Sequence, residues 1–251
     1  MPVNLSETGM HYTIITAKDI KHLPVQNVNE LLAYVSGVDI RQRGPMGTQA
    51  DIGIRGSTFD QVLVMVDGVR MSDPQTGHHQ MNLPVPLQMI ERIEIIRGTA
   101  ARRYGLNALG GVVNVITKKT SETLFAFEAF GMQASGLSAN EGLNGGLRVF
   151  GAGNQNGWNF MGGAEGLRGN GYRHNTDFEQ LRTYAKVSKE SEIGSFSLFG
   201  GSNNNAFGAG LFYAAPRDSN ARETVNTQFV NAQLVAHLSP VDKLTVNASS
   251  R

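Results

Sequence analysis

Cysteine is missing from all 251 residues, and that absence removes disulfide scaffolds, thiol nucleophiles and cysteine-ligated metals together. Long apolar runs are missing as well. No stretch approaches the roughly 18 uninterrupted apolar residues that a spanning helix needs, so any contact with a bilayer would have to be made by strands. Neither sign of charge dominates: 22 basic and 21 acidic residues leave a net charge of +1, with no basic stripe for a phosphate backbone and hence no nucleic-acid partner. At 40% hydrophobic and 17% charged residues the chain is too apolar for disorder and too polar for a helical membrane protein. The opening Met1-Pro2-Val3-Asn4-Leu5-Ser6 carries neither the basic region nor the apolar region of a signal peptide. What is abundant is glycine, 30 residues against an average of roughly 7%, which fits a protein of tight turns and strands. The length allows one large domain or two modest ones.

Up to Lys119 the pattern predicts a compact α+β unit. His11 to Thr16 alternates towards a strand, and Thr16-Ala17-Lys18-Asp19 leads into a short polar link. Asn27 stands three residues before Glu30, a capping-box spacing ahead of Leu31, Leu32 and Val35, and Gly37 is placed to end that helix in a left-handed conformation. Val38-Asp39-Ile40 and Asp51-Ile52-Gly53-Ile54-Arg55-Gly56 are extended runs. Val62-Leu63-Val64-Met65-Val66 turns through Asp67-Gly68 into Val69-Arg70, and Asp-Gly between apolar runs is a strong hairpin signal. Pro84 and Pro86 suit the start of a second short helix through Leu87 and Ile90. Two further strands, Arg92 to Gly98 and Gly111 to Thr117, close the unit.

Beyond Lys119 the helical signals stop. Trp158, Phe160, Gly162 and Ala164 alternate with Asn159, Met161, Gly163 and Glu165; Leu181, Thr183, Ala185 and Val187 alternate with Arg182, Tyr184, Lys186 and Ser188. Val230, Ala232, Leu234, Ala236 and Leu238 continue the pattern, as do Leu244, Val246 and Ala248. Such strands suit either a soluble β-sandwich or a transmembrane barrel. The apolar sets are rich in Ala and Gly, too small for a thick sandwich core, while Arg182, Lys186 and Glu165 on the opposite set suit a wet lumen. The barrel is the better reading. It places Trp158, Phe160, Leu181, Ala185, Val187, Val230 and Leu234 towards lipid.

The ordered fragments of the first half resemble a known family. These are Asn29-Glu30-Leu31-Leu32 with Val35-Ser36-Gly37-Val38-Asp39-Ile40, Ile52-Gly53-Ile54-Arg55-Gly56, and Val62 to Arg70. They continue with Ile90 to Gly98, Tyr104-Gly105, Ala108-Leu109-Gly110-Gly111 and Val112 to Thr117. Together they are similar to the plug of TonB-dependent outer-membrane receptors, nearest to the cobalamin- and siderophore-type members. The resemblance implies an α+β plug domain, a small mixed sheet with short helices over residues 1–119. Antiparallel strands of an incomplete transmembrane β-barrel follow over 120–251. It implies energy-coupled import of an iron-siderophore, haem or cobalamin across the Gram-negative outer membrane, with outer-membrane lipid and the TonB coupling protein as partners and no cofactor. The family's signal peptide and TonB box are not found ahead of His11, and a barrel of about 22 strands needs far more than the six or seven expected here. A piece lacking both ends of its receptor is the expectation.

The resemblance also assigns the candidate residues. Its apical, ligand-receiving loops correspond to Arg41-Gln42-Arg43-Gly44-Pro45-Met46-Gly47-Thr48-Gln49 and to Met71 through Asn82. Within them Arg41, Gln42, Arg43, Met46, Gln49, Ser72, Asp73, Gln75, His78 and His79 offer amide, hydroxyl, thioether and imidazole groups to a large amphipathic ligand. The bland alternative is a pair of solvated loops. Adjacent His78 and His79 without a carboxylate or thiol constellation in sequence make a poor metal set. Arg55 and Arg97, each before a glycine, correspond to the family's arginines that hold the plug through barrel glutamates; the alternative is that each caps a strand against solvent. Ser57, His78 and Asp73 form no nucleophile elbow, and Gly105-Leu106-Asn107-Ala108-Leu109-Gly110-Gly111 lacks the ending of a phosphate loop, so no enzyme is expected. A surface adhesin or glycan-binding module, and a receptor that also signals, remain the competing functions.

Overall fold

The structure is a computed structural model that describes residues 11–44, 46, 48–73, 76–98, 101, 104–105, 107–119, 123–134, 142–210, 220–239 and 241–251. The chain divides into two compact units. One takes residues 1–42, 49–83 and 89–118; the other takes 119–251 together with the short segments 43–48 and 84–88.

The first unit opens with β1 (His11–Thr16) and α1 (Ala17–His22). Thr16 caps that helix: its backbone N–H donates to the Asp19 carboxylate at 2.8 Å while the Asp19 N–H donates to its hydroxyl at 3.3 Å. A reciprocal cap thus makes a helix where the sequence pattern gave a polar link, because Asp19 takes the role usually held by Glu or Gln. The helix α2 (Val28–Ala33) begins where expected, at Asn27, whose side chain accepts from the Glu30 N–H at 2.9 Å. Leu31 and Leu32 are wholly buried behind it, and Gly37 reverses the chain at φ +76°.

The strands that follow are β2 (Val38–Gln42), β3 (Ala50–Ile54), β4 (Val62–Val66), β5 (Val69–Arg70), β6 (Ile90–Arg97) and β7 (Gly111–Thr117). β2 and β3 form a ribbon, and the other five strands make a mixed sheet in the order β1-β6-β7-β4-β5, with β4 and β7 parallel. Val62 to Val66 and Val112 to Val115 form its buried centre, as continuous apolar runs covered on both faces must. Asp67 (φ +48°) and Gly68 (φ +81°) make the left-handed turn between β4 and β5. The Asp67 carboxylate accepts the Thr117 N–H at 2.9 Å and its hydroxyl at 2.6 Å, which fixes the end of β7.

One expected helix is absent. Residues 87–90 form a single 3₁₀ turn, Leu87–Met89, and Ile90 already pairs with Thr117. The Met89 carbonyl accepts the Lys118 N–H at 2.8 Å, so the acceptor that a longer helix would use is committed to the sheet edge.

The second unit is a meander of seven antiparallel strands: β8 (Leu124–Ala134), β9 (Gly142–Gln155), β10 (Trp158–Gly169), β11 (Phe178–Ser191), β12 (Gly194–Gly208), β13 (Arg222–His237) and β14 (Lys243–Ser250). Each pairs with the next, and the sheet is not closed, with β8 and β14 at its edges. Asn156 and Gly157, both at positive φ, form a two-residue turn, and Glu192-Ile193 another, at one end. The connections 170–177 and 209–221 at the other end are longer.

The two faces segregate. Phe160, Leu181, Ala185, Val230 and Leu234 are exposed, with Trp158 and Val187 half-exposed, and among the described residues no second sheet buries them. On the opposite face Glu165 is buried and Arg182 nearly so. That face also holds aromatic rings the alternation did not mark as buried: Tyr184, Phe199 and Phe229 cluster with centroids 5.4–6.5 Å apart.

Candidate functional site

The two arginine–glycine turns lie in the first unit. Arg55 adopts φ +52° at the end of β3, followed by Gly56 at +81°, and its N–H donates to the Gly37 carbonyl at 2.9 Å. A side chain at left-handed φ is uncommon and signals a backbone held by its surroundings. Its guanidinium is exposed. Arg97 closes β6 and is buried, donating to the Thr13 hydroxyl at 2.7 Å and the Ser36 carbonyl at 2.9 Å, with Nε unpartnered. Burial, reinforced by the neighbouring Arg55 charge, pushes the Arg97 group below its ordinary value. Two like charges therefore stand together, and among the described residues neither makes an ion pair.

The segment from Met71 to Asn82 is anchored to β3. His78 Nδ1 lies 2.8 Å from the carboxylate of buried Asp51, its ring stacks on Phe59 with centroids 4.1 Å apart, and Gln80 donates to the Phe59 carbonyl at 2.7 Å. Asp73 accepts the Thr76 N–H at 3.2 Å and Ser72 is exposed. His79 Nδ1 and Asn82 Nδ2 are buried without a hydrogen-bond partner among the described residues. Gln75 lies outside the described residues. Asp51 is the residue that sequence reasoning missed, since only the fold brings it to a histidine 27 positions away.

The segment from Arg41 to Gln49 is divided. Arg41 is exposed and pairs with Asp39 at 2.8 Å, Gln42 ends β2, and buried Gln49 lies 3.4 Å from the Asp51 carboxylate. Arg43 and Met46 belong to the second unit. There the Arg43 carbonyl accepts from Arg173 at 2.8 Å, and Met46 is buried in a cluster with Leu167, Phe178 and Phe207.

Across the buried face of the seven-stranded sheet runs a ladder that no single strand reveals. Glu128, Arg148, Glu165, Arg182 and Asn203 are register partners on five successive strands. Arg148 bridges Glu128 at 3.3 Å and also binds Glu165; Arg182 reaches Glu165 at 2.5 Å and Gln180 at 3.0 Å; Gln180 passes on to Asn203 at 2.9 Å. Gln88, in the same unit, donates to Glu128 at 2.7 Å. The charges alternate and sum to zero, the arrangement in which buried ions are tolerated. Glu128 and Arg148 escaped the sequence reading because cross-strand register is invisible without the pairing.

A small mixed-sheet domain with two arginine–glycine turns, followed by an unclosed amphipathic meander with a polar inner ladder, is a plug-like unit joined to barrel-type strands. Residues 4–112 match the TonB-dependent Receptor Plug Domain. Over 117 residues the chain is 42% identical to the vitamin B12 transporter BtuB of Vibrio cholerae serotype O1, an alignment covering 47% of this chain and 19% of that protein. The fold is shared with the siderophore receptor PirA from Acinetobacter baumannii (TM-score 0.78, 21% identity, 95% of this chain and 39% of that one). It is shared too with the unliganded ferric citrate transporter FecA (TM-score 0.81, 20% identity, 97% and 40%). The chain thus spans well under half of these relatives, which are transporters and receptors.

Proposed function

We propose that the chain supplies the plug, residues 1–119, and the first barrel strands, 120–251, of a Gram-negative outer-membrane receptor. The receptor imports a scarce large ligand, an iron-siderophore, haem or cobalamin, with energy delivered by TonB. The observation that carries the reading is the plug-domain match over 4–112 in the same chain as a sheet whose apolar face is exposed while its charged face is buried, the inverse of a water-soluble sandwich. Short turns at one end of the meander and long connections at the other match periplasmic turns and external loops. The 42% identity to a vitamin B12 transporter makes cobalamin the first ligand to test.

Arg41, Gln42, Arg43, Met46, Gln49, Ser72, Asp73, Gln75, His78 and His79 are proposed to shape the ligand-facing side of the plug. Arg41 and Ser72 are exposed and open to direct contact, and the pairing of partly exposed His78 with buried Asp51 holds the second loop in place. Arg55 and Arg97 are proposed to hold the plug through carboxylates of the barrel wall, a role supported by two guanidinium groups that feel each other's charge and make no ion pair among the described residues.

The test is uptake. The intact receptor is expressed in a receptor-null Gram-negative strain, and accumulation of labelled cyanocobalamin, ferric siderophore and haem is followed at limiting concentration, with and without the proton-motive force. Energy-dependent accumulation of one of them is expected. Accumulation of none, by a receptor that is present in the outer membrane, would overturn the transport reading; a receptor that fractionates as a soluble protein would restore the adhesin.

A further inference from the structure

On the exposed face of the meander, two neighbouring cross-strand rows differ sharply in side-chain size. Gly151, Gly162, Ala185 and Gly200 are register partners on β9 to β12, ending at Val230 on β13. The next row towards the short turns holds Gly153, Phe160, Val187 and Leu198. The small row leaves a hollow of about 550 Å³, lined also by Gly153, Phe160, Val187 and Leu198 of the next row. That volume lies within the ~300–1,000 Å³ of small-ligand sites. With strands roughly 4.8 Å apart, the four small residues make a trough on the order of 15 Å long.

One row further out, next to the turns, stand Trp158, Lys189, Phe196 and Leu234, again register partners. Trp158 and Phe196 meet edge to face at 6.3 Å, and the Lys189 ammonium lies 5.3 Å from the Trp158 ring. The carboxylate of neighbouring Glu190 is engaged by Lys119, so it does not neutralise Lys189. Lys189 stands four residues from Ala185 along β11, roughly 13 Å at the rise of a strand. An aromatic girdle marks the level of lipid headgroups. A cation at that level and an apolar trough one chain-length inward are what a single anionic phospholipid requires.

We propose that this face seats one anionic phospholipid of the leaflet at the short-turn end, its phosphate at Lys189 and Trp158 and one acyl chain in the trough over Gly151, Gly162, Ala185 and Gly200. The proposal rests on the outer-membrane reading above. It explains why the row is kept small where bulkier apolar residues would serve lipid contact equally well. The trough can be filled without backbone conflict at two positions: the nearest atom to a Cβ built on Gly151 is 3.9 Å away and on Gly162 3.5 Å away.

The experiment uses the full-length receptor in nanodiscs of phosphatidylcholine with a minority of phosphatidylglycerol, followed by detergent release and native mass spectrometry. The intact receptor should retain one phosphatidylglycerol in preference to phosphatidylcholine. Lys189→Gln should lower that preference about five-fold, the worth of one interfacial lysine. The double variant Gly151→Leu/Gly162→Leu should lose the retained lipid of either kind, with heat-modifiable gel mobility confirming a folded barrel. Were the double variant not to fold, Lys189→Gln decides alone. Equal retention by wild type and variants, or no retained lipid on a folded wild type, would overturn the proposal. So would a wild-type dimer that the filled trough abolishes, which would mean a second copy occupies the face. A receptor that never inserts into nanodiscs would instead defeat the membrane reading beneath it.

Discussion

Arg97 is a buried cation with two hydrogen bonds from its terminal nitrogens, an Nε without a partner among the described residues and a second guanidinium that raises the local charge. Such a group asks for an anion, since leaving a desolvated charge unpaired is expensive. If a barrel carboxylate answers it in the intact receptor, Arg97→Ala strands that carboxylate at a cost of about 3–5 kcal/mol. The plug should loosen before the barrel melts, because barrel strands keep their own ladder of backbone bonds. Passive influx of a large antibiotic into cells should rise for Arg97→Ala and for Arg55→Ala, and less for Arg97→Lys, which keeps the charge but not the fork. Unchanged influx with intact ligand uptake would make both arginines simple strand caps. The residues themselves were legible as the two arginines before glycines; their electrostatic proximity was not, for nothing local in the chain links positions 55 and 97. Similarly, His78 was noticed for its imidazole, but its partner Asp51 lies on another element.

Elements were legible wherever the signal is local. The Asn27 cap, the Asp67-Gly68 turn and the alternation of β10, β11, β13 and β14 are all written in windows of a few residues, whereas β8, β9 and β12 do not stand out in the sequence. In the first unit two elements were not legible, and both depend on competition for backbone groups: α1 forms because Asp19 completes a cap, and the helix at Pro86 stops because Lys118 claims the Met89 carbonyl. The inner ladder is an element-scale property of the same kind. Glu165 carries both Arg148 and Arg182, so Glu165→Gln leaves two buried guanidinium groups facing each other. We expect a loss of about 3–5 kcal/mol, read as a lower urea midpoint of the detergent-solubilised receptor. Replacing Arg182 by Met as well should recover part of it, and an unchanged midpoint for the single variant would show the ladder to be hydrated. At the long-loop end, Asp177 accepts two bonds from Arg222, which hold its carboxyl below the usual carboxylate range. A depressed folded value stabilises fully above the ordinary value and is lost as pH falls through the depressed one. The pair is partly exposed, so the effect is small, ~0.2–1 kcal/mol. Protease nicking between 170 and 177 should therefore increase on acidification, and Asp177→Asn should nick at neutral pH as fast as wild type does in acid.

At the scale of the whole molecule, the two units are built on opposite plans of connectivity. In the meander every strand pairs with its successor, and hairpins such as Gln155 to Trp158 close over two residues. In the mixed sheet the first strand pairs with the sixth, so that the Thr13 hydroxyl meets Arg97 across 84 positions of chain. Loop closure must be met before such a contact returns anything, and the rate of folding falls as contacts become less local. The meander can zip one hairpin at a time as the chain is delivered, whereas β1 must wait, unpaired, until β6 has been made. During that interval the edge of β1 stands open to any passing strand. The order in which residues leave the ribosome thus places the greatest demand for chaperone protection on the domain that is synthesised first.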